Sequence, residues 1–161
     1  QDYFVRHRCA VEARNVRYVG ADAAKPSELF ERALRAPDLA GIVIAPSNPI
    51  LSIGPILALP GVRQIIVARA IPVVAVSPLI GGKAVKGPAD KLMAELGHAP
   101  GNDGIAAFYG DMLDGLLIDR MDRAAAERLK VRTHADDIMM KDAADRERLA
   151  RLCIEMLDGV V

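Results

Sequence analysis

Short runs rich in Val and Ile recur along the chain with helix-patterned stretches between them, and this alternation constrains the fold more than any other feature. The runs are "VRYVG" (16 to 20), "GIVIA" (41 to 45), "IPVVAVS" (71 to 77), "GLLID" (115 to 119) and, more weakly patterned, "VRTHA" (131 to 135). Runs this short and this apolar suit strands covered on both faces, as in a parallel sheet, where each return needs a crossover. Between the first two lies "PSELFERALRA", in which Ser27 is placed to cap a helix and Leu29, Phe30, Ala33 and Leu34 would form one apolar stripe that Pro37 ends. "PADKLMAELG" carries Pro88 at a first helical turn and Gly97 beyond the last one. "NDGIAAFYGDMLD" reads as a further helix, and "DAADRERLARLCIEMLDG" as a closing amphipathic one. The expected architecture is a layered α/β domain over residues 1–161, with a mostly parallel sheet, flanking helices and right-handed crossovers.

Composition agrees. Apolar residues make up 52% of the 161 positions and charged residues 26%, with no Trp, so the core must be aliphatic. Lys plus Arg equals Asp plus Glu at 21 each, which argues against a general affinity for nucleic acid or an anionic membrane and leaves a local basic pocket open. No apolar run reaches the roughly 20 residues that span a bilayer, no segment has signal-peptide character, and the expected compartment is the cytoplasm. Cys9 and Cys153 belong to no metal or redox spacing and are expected to be reduced and buried. The chain opens on "QDYFVRHRC" without Met, as if in the middle of a segment, and a portion of a longer protein is expected.

Two loops stand out because ligands of open parallel sheets bind beyond the carboxyl ends of the strands. In "APSNPILSIGP" (45 to 55), Ser47, Asn48 and Ser52 follow a buried strand, and Asn48 or Ser52 is placed to cap a helix whose N-terminal amides would attract phosphate. The alternative is that these residues only cap and turn, and the sequence leaves both readings open. In "GGKAVKGP" (81 to 88), Gly81, Gly82 and Gly87 permit unusual backbone angles and close ligand approach, and Lys83 and Lys86 would neutralise a phosphate or carboxylate. Against this stand two ordinary solvated lysines on a turn. The loop matches neither the dinucleotide-binding nor the P-loop pattern.

Other polar residues are less informative. His7, between Arg6 and Arg8, belongs to a basic helix face, while His98 and His134 have no acid or nucleophile at a telling spacing. Asp103, Asp111, Asp114, Asp119 and Asp122 are simplest as helix caps facing water, and Asp136 and Asp137 are treated alike. Hard-cation sites need several converging oxygens that this spacing does not impose.

Five strings, "QDYFVRHRC", "APSNPILSIGPILALPGVR", "VAVSPLIGGKAVKGPADKLM", "FYGDMLDGLLID" and "DAADRERLARLCIEML", resemble in order the carboxyl-terminal half of the 2-phospho-L-lactate transferases of coenzyme F-420 biosynthesis. The resemblance implies a Rossmann-like α/β core, a cytoplasmic homodimer and a magnesium-assisted reaction. A phosphorylated three-carbon acid, which is phospholactate, phosphoenolpyruvate or phosphoglycerate, passes from a guanosine diphospho donor to the deazaflavin Fo, releasing GMP. It makes Ser47, Asn48, Pro49, Ser52 and Gly54 a lining of the nucleotide-diphosphate pocket and Lys83, Lys86 and Gly87 the grip on donor phosphate or carboxylate. The family's glycine-rich first strand and aspartate-rich segment have no counterpart in these residues. A wider relative, the nucleotide-sugar-binding proteins linked to cell shape and carbon metabolism, implies a non-catalytic regulatory binder instead. A third expectation is a structural half that folds and dimerises without binding a ligand.

Overall fold

The computed structural model describes residues 1–159. Four strands form one parallel sheet in the order β1 (Ile42–Ile44), β2 (Val73–Val76), β5 (Gly115–Asp119), β6 (Arg132–Asp136). A two-stranded antiparallel hairpin, β3 (Leu79–Ile80) with β4 (Lys83–Ala84), rises directly from the end of β2. The helices are α1 (Glu28–Leu34), α2 (Gly54–Leu57), α3 (Val62–Ala68), α4 (Ala89–Glu95), α5 (Gly101–Tyr109), α6 (Arg123–Ala126) and α7 (Ala143–Leu157). The expected layered α/β architecture with a parallel sheet is what forms. No single described helix is long and apolar enough to cross a membrane.

The two-faced burial of the central strands explains their unbroken apolar runs. Val73 and Ala75 of β2, with Leu116 and Ile118 of β5, face a core that holds Val62 and Ile66 of α3 and Ile105 and Tyr109 of α5. Val74, Val76 and Leu117 point the other way, onto Leu149, Cys153 and Met156 of α7. Their 4–3 spacing puts those three on one stripe of a helix. Because each later strand adds on the same side of its predecessor, right-handed crossovers carry all the connecting helices to one face. The opposite face is left to the helix that follows the last strand.

Capping sets the helix starts. Ser27 accepts from the Phe30 N–H, and Asp142 Oδ1 accepts from the Asp145 N–H at 2.9 Å. Long-range polar ties fix the helix ends: Arg69 donates to the Leu34 carbonyl at the end of α1 and to the Ala36 carbonyl just beyond it, and Arg132 donates to Met156 O at the end of α7.

Several expectations are corrected. Residues 16 to 20 form no strand: Val16 packs on the core, Val19 is 91% exposed, and Tyr18 donates to the Ile50 carbonyl at 2.5 Å. The α1 stripe is narrower than four residues, since Leu29 and Ala33 face solvent while Phe30 and Leu34 pack inward. The helix expected across 102–114 ends at Tyr109, where Gly110 turns the chain into a single 3-10 turn. The basic face at Arg6 to Arg8 is interrupted, because the opening helical turn stops at Arg6 and Arg8 takes a left-handed φ of 46°. Cys153 is buried but Cys9 is only partly so.

Candidate functional site

A cleft of about 470 Å³ lies at the carboxyl ends of β1 and β2. Four segments wall it: Pro46–Ser52 after β1, Ser77–Ile80 after β2, Val85–Ala89 after the hairpin, and Ile138–Met140 after β6, with Phe4 at the rim. The volume suits a small-molecule ligand. Lys86 is the one charged residue among those described that lines it, so the cleft offers one cation with several neutral hydroxyl and amide groups.

The first loop contributes Ser47, Asn48 and Ser52 to the lining. Asn48 Oδ1 accepts from the Ile50 and Leu51 N–H groups, both at 3.0 Å, and so caps the helical turn Pro49–Ile53. The two amides on which the phosphate reading relied are thus already bonded, which leaves the Asn48 amide N–H₂ and the serine hydroxyls as the loop's donors. Pro49 and Gly54 are buried and do not line the cleft. Gly54 is needed for another reason: a Cβ there would sit 2.1 Å from Tyr18 Oη, so the glycine makes room for the tyrosine that pins the loop through Ile50.

In the second loop the roles separate. Gly81 and Gly82 have φ of +59° and +72° and form the two-residue turn between Ile80 and Lys83, which pair across the hairpin. Positive φ at both central positions is the geometry that matches the twist of a two-residue hairpin, and glycine reaches it without strain. These two glycines build the turn and lie outside the cleft. Lys83 also points away, 82% exposed and 3.8 Å from Asp90. Lys86 and Gly87, just past the hairpin, do line the cleft.

Sequence reasoning passed over the residues that organise the floor. Ser77 is fully buried and donates through Oγ to Oδ1 of Asn102 at 2.6 Å, while accepting from the Leu79 N–H at 3.1 Å. Asn102 is itself buried. The available signal was a single serine closing an otherwise apolar strand. Asp119 does cap, as expected, but not at the surface. It is 3% exposed, and its oxygens accept from the N–H groups of Met121 at 2.9 Å and Ile138 at 3.3 Å. Replacing Ser77 by alanine would leave Asn102 Oδ1 without its donor, and we expect a loss of about 1–3 kcal/mol in urea unfolding. A loss below about 0.5 kcal/mol would show that this bond carries no stability.

A divalent cation does not fit these residues by themselves. Among the described residues no three of His, Cys, Asp and Glu converge, and the buried carboxylate of Asp119 is already engaged by two backbone amides. Among the described residues no Asp, Glu or His lines the cleft, so these walls offer no carboxylate or imidazole as a proton acceptor.

The fold and cleft together define a layered α/β protein with a cleft at the carboxyl edge of a parallel sheet, lined among the described residues by one cation. The chain belongs to the family described as 2-phospho-L-lactate transferase CofD, whose model matches residues 1–159. It is 39% identical over 99% of its length to the phosphoenolpyruvate transferase of Streptomyces griseus, covering 51% of that protein. It is 40% identical over 96% of its length to the 2-phospho-L-lactate transferase of Methanocaldococcus jannaschii, covering 48% of it. Against the phosphoenolpyruvate transferase of Mycolicibacterium smegmatis the identity is 33% over 97% of the chain and 48% of the relative. The chain thus spans about half the length of the curated relatives it matches.

Proposed function

We propose that the whole protein transfers a phosphorylated three-carbon acid from a guanosine diphospho donor to the deazaflavin Fo, releasing GMP, in coenzyme F-420 biosynthesis. The observation that carries this reading is a cleft with Lys86 as its one lining charge in a chain of this family. In the reaction the Fo hydroxyl oxygen bonds to the phosphorus attached to the acid, the bridging bond to GMP breaks, and the hydroxyl proton is lost. Charge grows on the phosphoryl oxygens as this happens, and a fixed cation stabilises that charge more than it stabilises bound donor. Lys86 supplies that charge, while Ser47, Asn48 and Ser52 supply neutral donors that orient the nucleotide diphosphate and Gly87 lets the donor approach the backbone. Relatives bear both phosphoenolpyruvate and 2-phospho-L-lactate transferase names, so either acid, or phosphoglycerate, is retained as substrate. Magnesium, a homodimer and a cytoplasmic location belong to the same proposal. The metal would neutralise phosphate charge when bound, and no step is assigned to it.

The absence of an acid or base from the described lining favours a second reading, a regulatory nucleotide or nucleotide-sugar binder of the same fold. Incubating the full-length gene product with Fo, magnesium and the guanosine diphospho donors separates the two. New phosphodiester with stoichiometric GMP supports transfer, whereas saturable donor binding with no GMP supports the binder. If guanosine diphosphate fails to raise the melting temperature at all, both readings lose their basis, because a ligand held by the native state must stabilise it.

A further inference from the structure

The cleft has two chemically different sides. The wall after the outer strand β1 brings Ser47, Asn48 and Ser52, and Lys86 supplies the charge. The wall after the other outer strand, β6, brings Met139 and Met140, and Ile80, Val85 and Phe4 extend its apolar surface. Three of these meet solvent: Phe4 is 45% exposed, Val85 46% and Met140 41%. Large apolar side chains left open around a cleft that also holds a cation suit a ligand with a flat apolar body and an anionic end.

Phe4 stands at the rim because α4 holds its segment there. Lys91 Nζ donates to the Val11 carbonyl at 2.8 Å and to Tyr3 Oη at 3.5 Å, and lies 5.7 Å from the centre of the Tyr3 ring. Glu95, one turn on, pairs with Lys91 at 2.5 Å and accepts from the Ala13 N–H at 3.0 Å. Both ends of residues 3–13 are thus tied to one face of one helix. Between them Arg8 and Cys9 take left-handed φ of 46° and 60°, which L side chains adopt only at a cost, so the reversal depends on its held ends. Tyr3 meets Phe4 edge to face at 5.5 Å, and a Cβ added at Gly87 would stand 4.0 Å from Phe4 Cε1. The Phe4 ring is therefore braced by Tyr3 and set beside the backbone that carries Lys86.

We propose that Phe4 is a ring-binding residue that packs against the flat heteroaromatic ring of the acceptor Fo, and that the Lys91–Glu95 pair positions it. The acceptor assignment rests on the transferase reading above. With the donor diphosphate on the serine and asparagine side and Lys86 beside the phosphorus under attack, the apolar side is left for the molecule that brings the attacking hydroxyl. A ring laid on a fixed aromatic side chain gains about tenfold in affinity. That gain is the same in the ground and transition states, so it acts on the acceptor KM and leaves kcat in place.

The test uses the full-length gene product at saturating donor. Phe4→Ala is expected to raise KM for Fo about tenfold, with kcat and donor KM each within about threefold of wild type. Phe4→Tyr keeps the ring and should hold all three within about threefold. Phe4 is exposed without ligand, so its truncation opens no cavity in the core. Glu95→Ala is expected to raise KM for Fo at least about threefold and to speed amide exchange over residues 3–13 about tenfold, against no change over β2 and β5. Glu95→Gln keeps an acceptor for the Ala13 N–H and should recover part of both effects; if the alanine variant does not fold, it carries the comparison with an expected rise of about twofold in each. An unmoved Fo KM in Phe4→Ala overturns the proposal, and so does a donor KM that rises as much, which would put the guanine ring there instead. Faster exchange over residues 3–13 with a wild-type Fo KM overturns the positioning role of the pair. A wild-type gene product that binds Fo in the presence of guanosine diphosphate but releases no GMP from the donor removes the transferase reading alone. Phe4 is then judged on the Kd for Fo, which Phe4→Ala must weaken about tenfold, and a wild-type protein that binds no Fo overturns the proposal outright.

Discussion

Replacing Lys86 by alanine is expected to lower kcat/KM for phosphodiester formation about 10- to 100-fold in the full-length gene product, with kcat bearing most of the loss. The figure follows from the price of removing one preorganised charge from a phosphoryl-transfer site, reduced because Lys86 is solvent-exposed in the cleft without substrate. Lys86→Arg keeps the charge but not the compact ammonium, and should retain more activity than alanine. Lys83→Ala gives the sharper contrast. Its ammonium lies near Asp90, outside the lining, and the expected loss is less than about threefold. Equal losses at the two lysines would mean that the loop acts through net charge, and an unaltered rate in Lys86→Ala would remove Lys86 from the mechanism.

Gly104→Ala is expected to cost about 3 kcal/mol of stability, measured by urea unfolding of the folded chain. Gly104 lies buried in α5, and a Cβ there would stand 1.9 Å from the Ala99 carbonyl oxygen. The obstacle is backbone, so it cannot rotate aside as a flexible side chain does, and α5 must lift off the loop that precedes it. The displacement would reach Asn102, two residues earlier in the helix, and through it Ser77. Ala107→Ser on the exposed side of the same helix should change stability by less than about 0.5 kcal/mol. Similar costs at both positions would show that α5 is not held where its contact with Ala99 places it.

The elements legible in the sequence are those whose cause is local. β2 and β5 announced themselves because Val73–Val76 and Gly115–Asp119 are apolar on both faces, and both faces are covered. Ser27 marked a helix start because a cap acts within three residues. Residues 16 to 20 show where this reasoning stops. Their composition is that of a strand, but a strand exists only where a neighbour offers its ladder, and here Tyr18 is spent on Ile50 instead. Leu29 and Ala33 fail for the same reason: an apolar stripe states which residues are able to pack, not how wide a face the neighbour covers.

The candidate site divides along the same line. Its two loops, their place beyond strand ends and the ordered strings of the family were all present in the linear sequence. Which of two lysines faces the cleft was not, because the Gly81–Gly82 turn reverses the chain between strands and sends Lys83 outward while Lys86 returns to the lining. Nor was the link from Ser77 to Asn102, 25 residues away, or from Asp119 to Ile138, 19 residues away. By itself the sequence determined the four strands of the parallel sheet, the longer helices, the Ser27 cap and the family, since periodicity and capping act over a few neighbouring residues. The tertiary structure alone decided which polar groups meet behind the cleft, because those contacts exist only once the sheet has brought distant strand ends together.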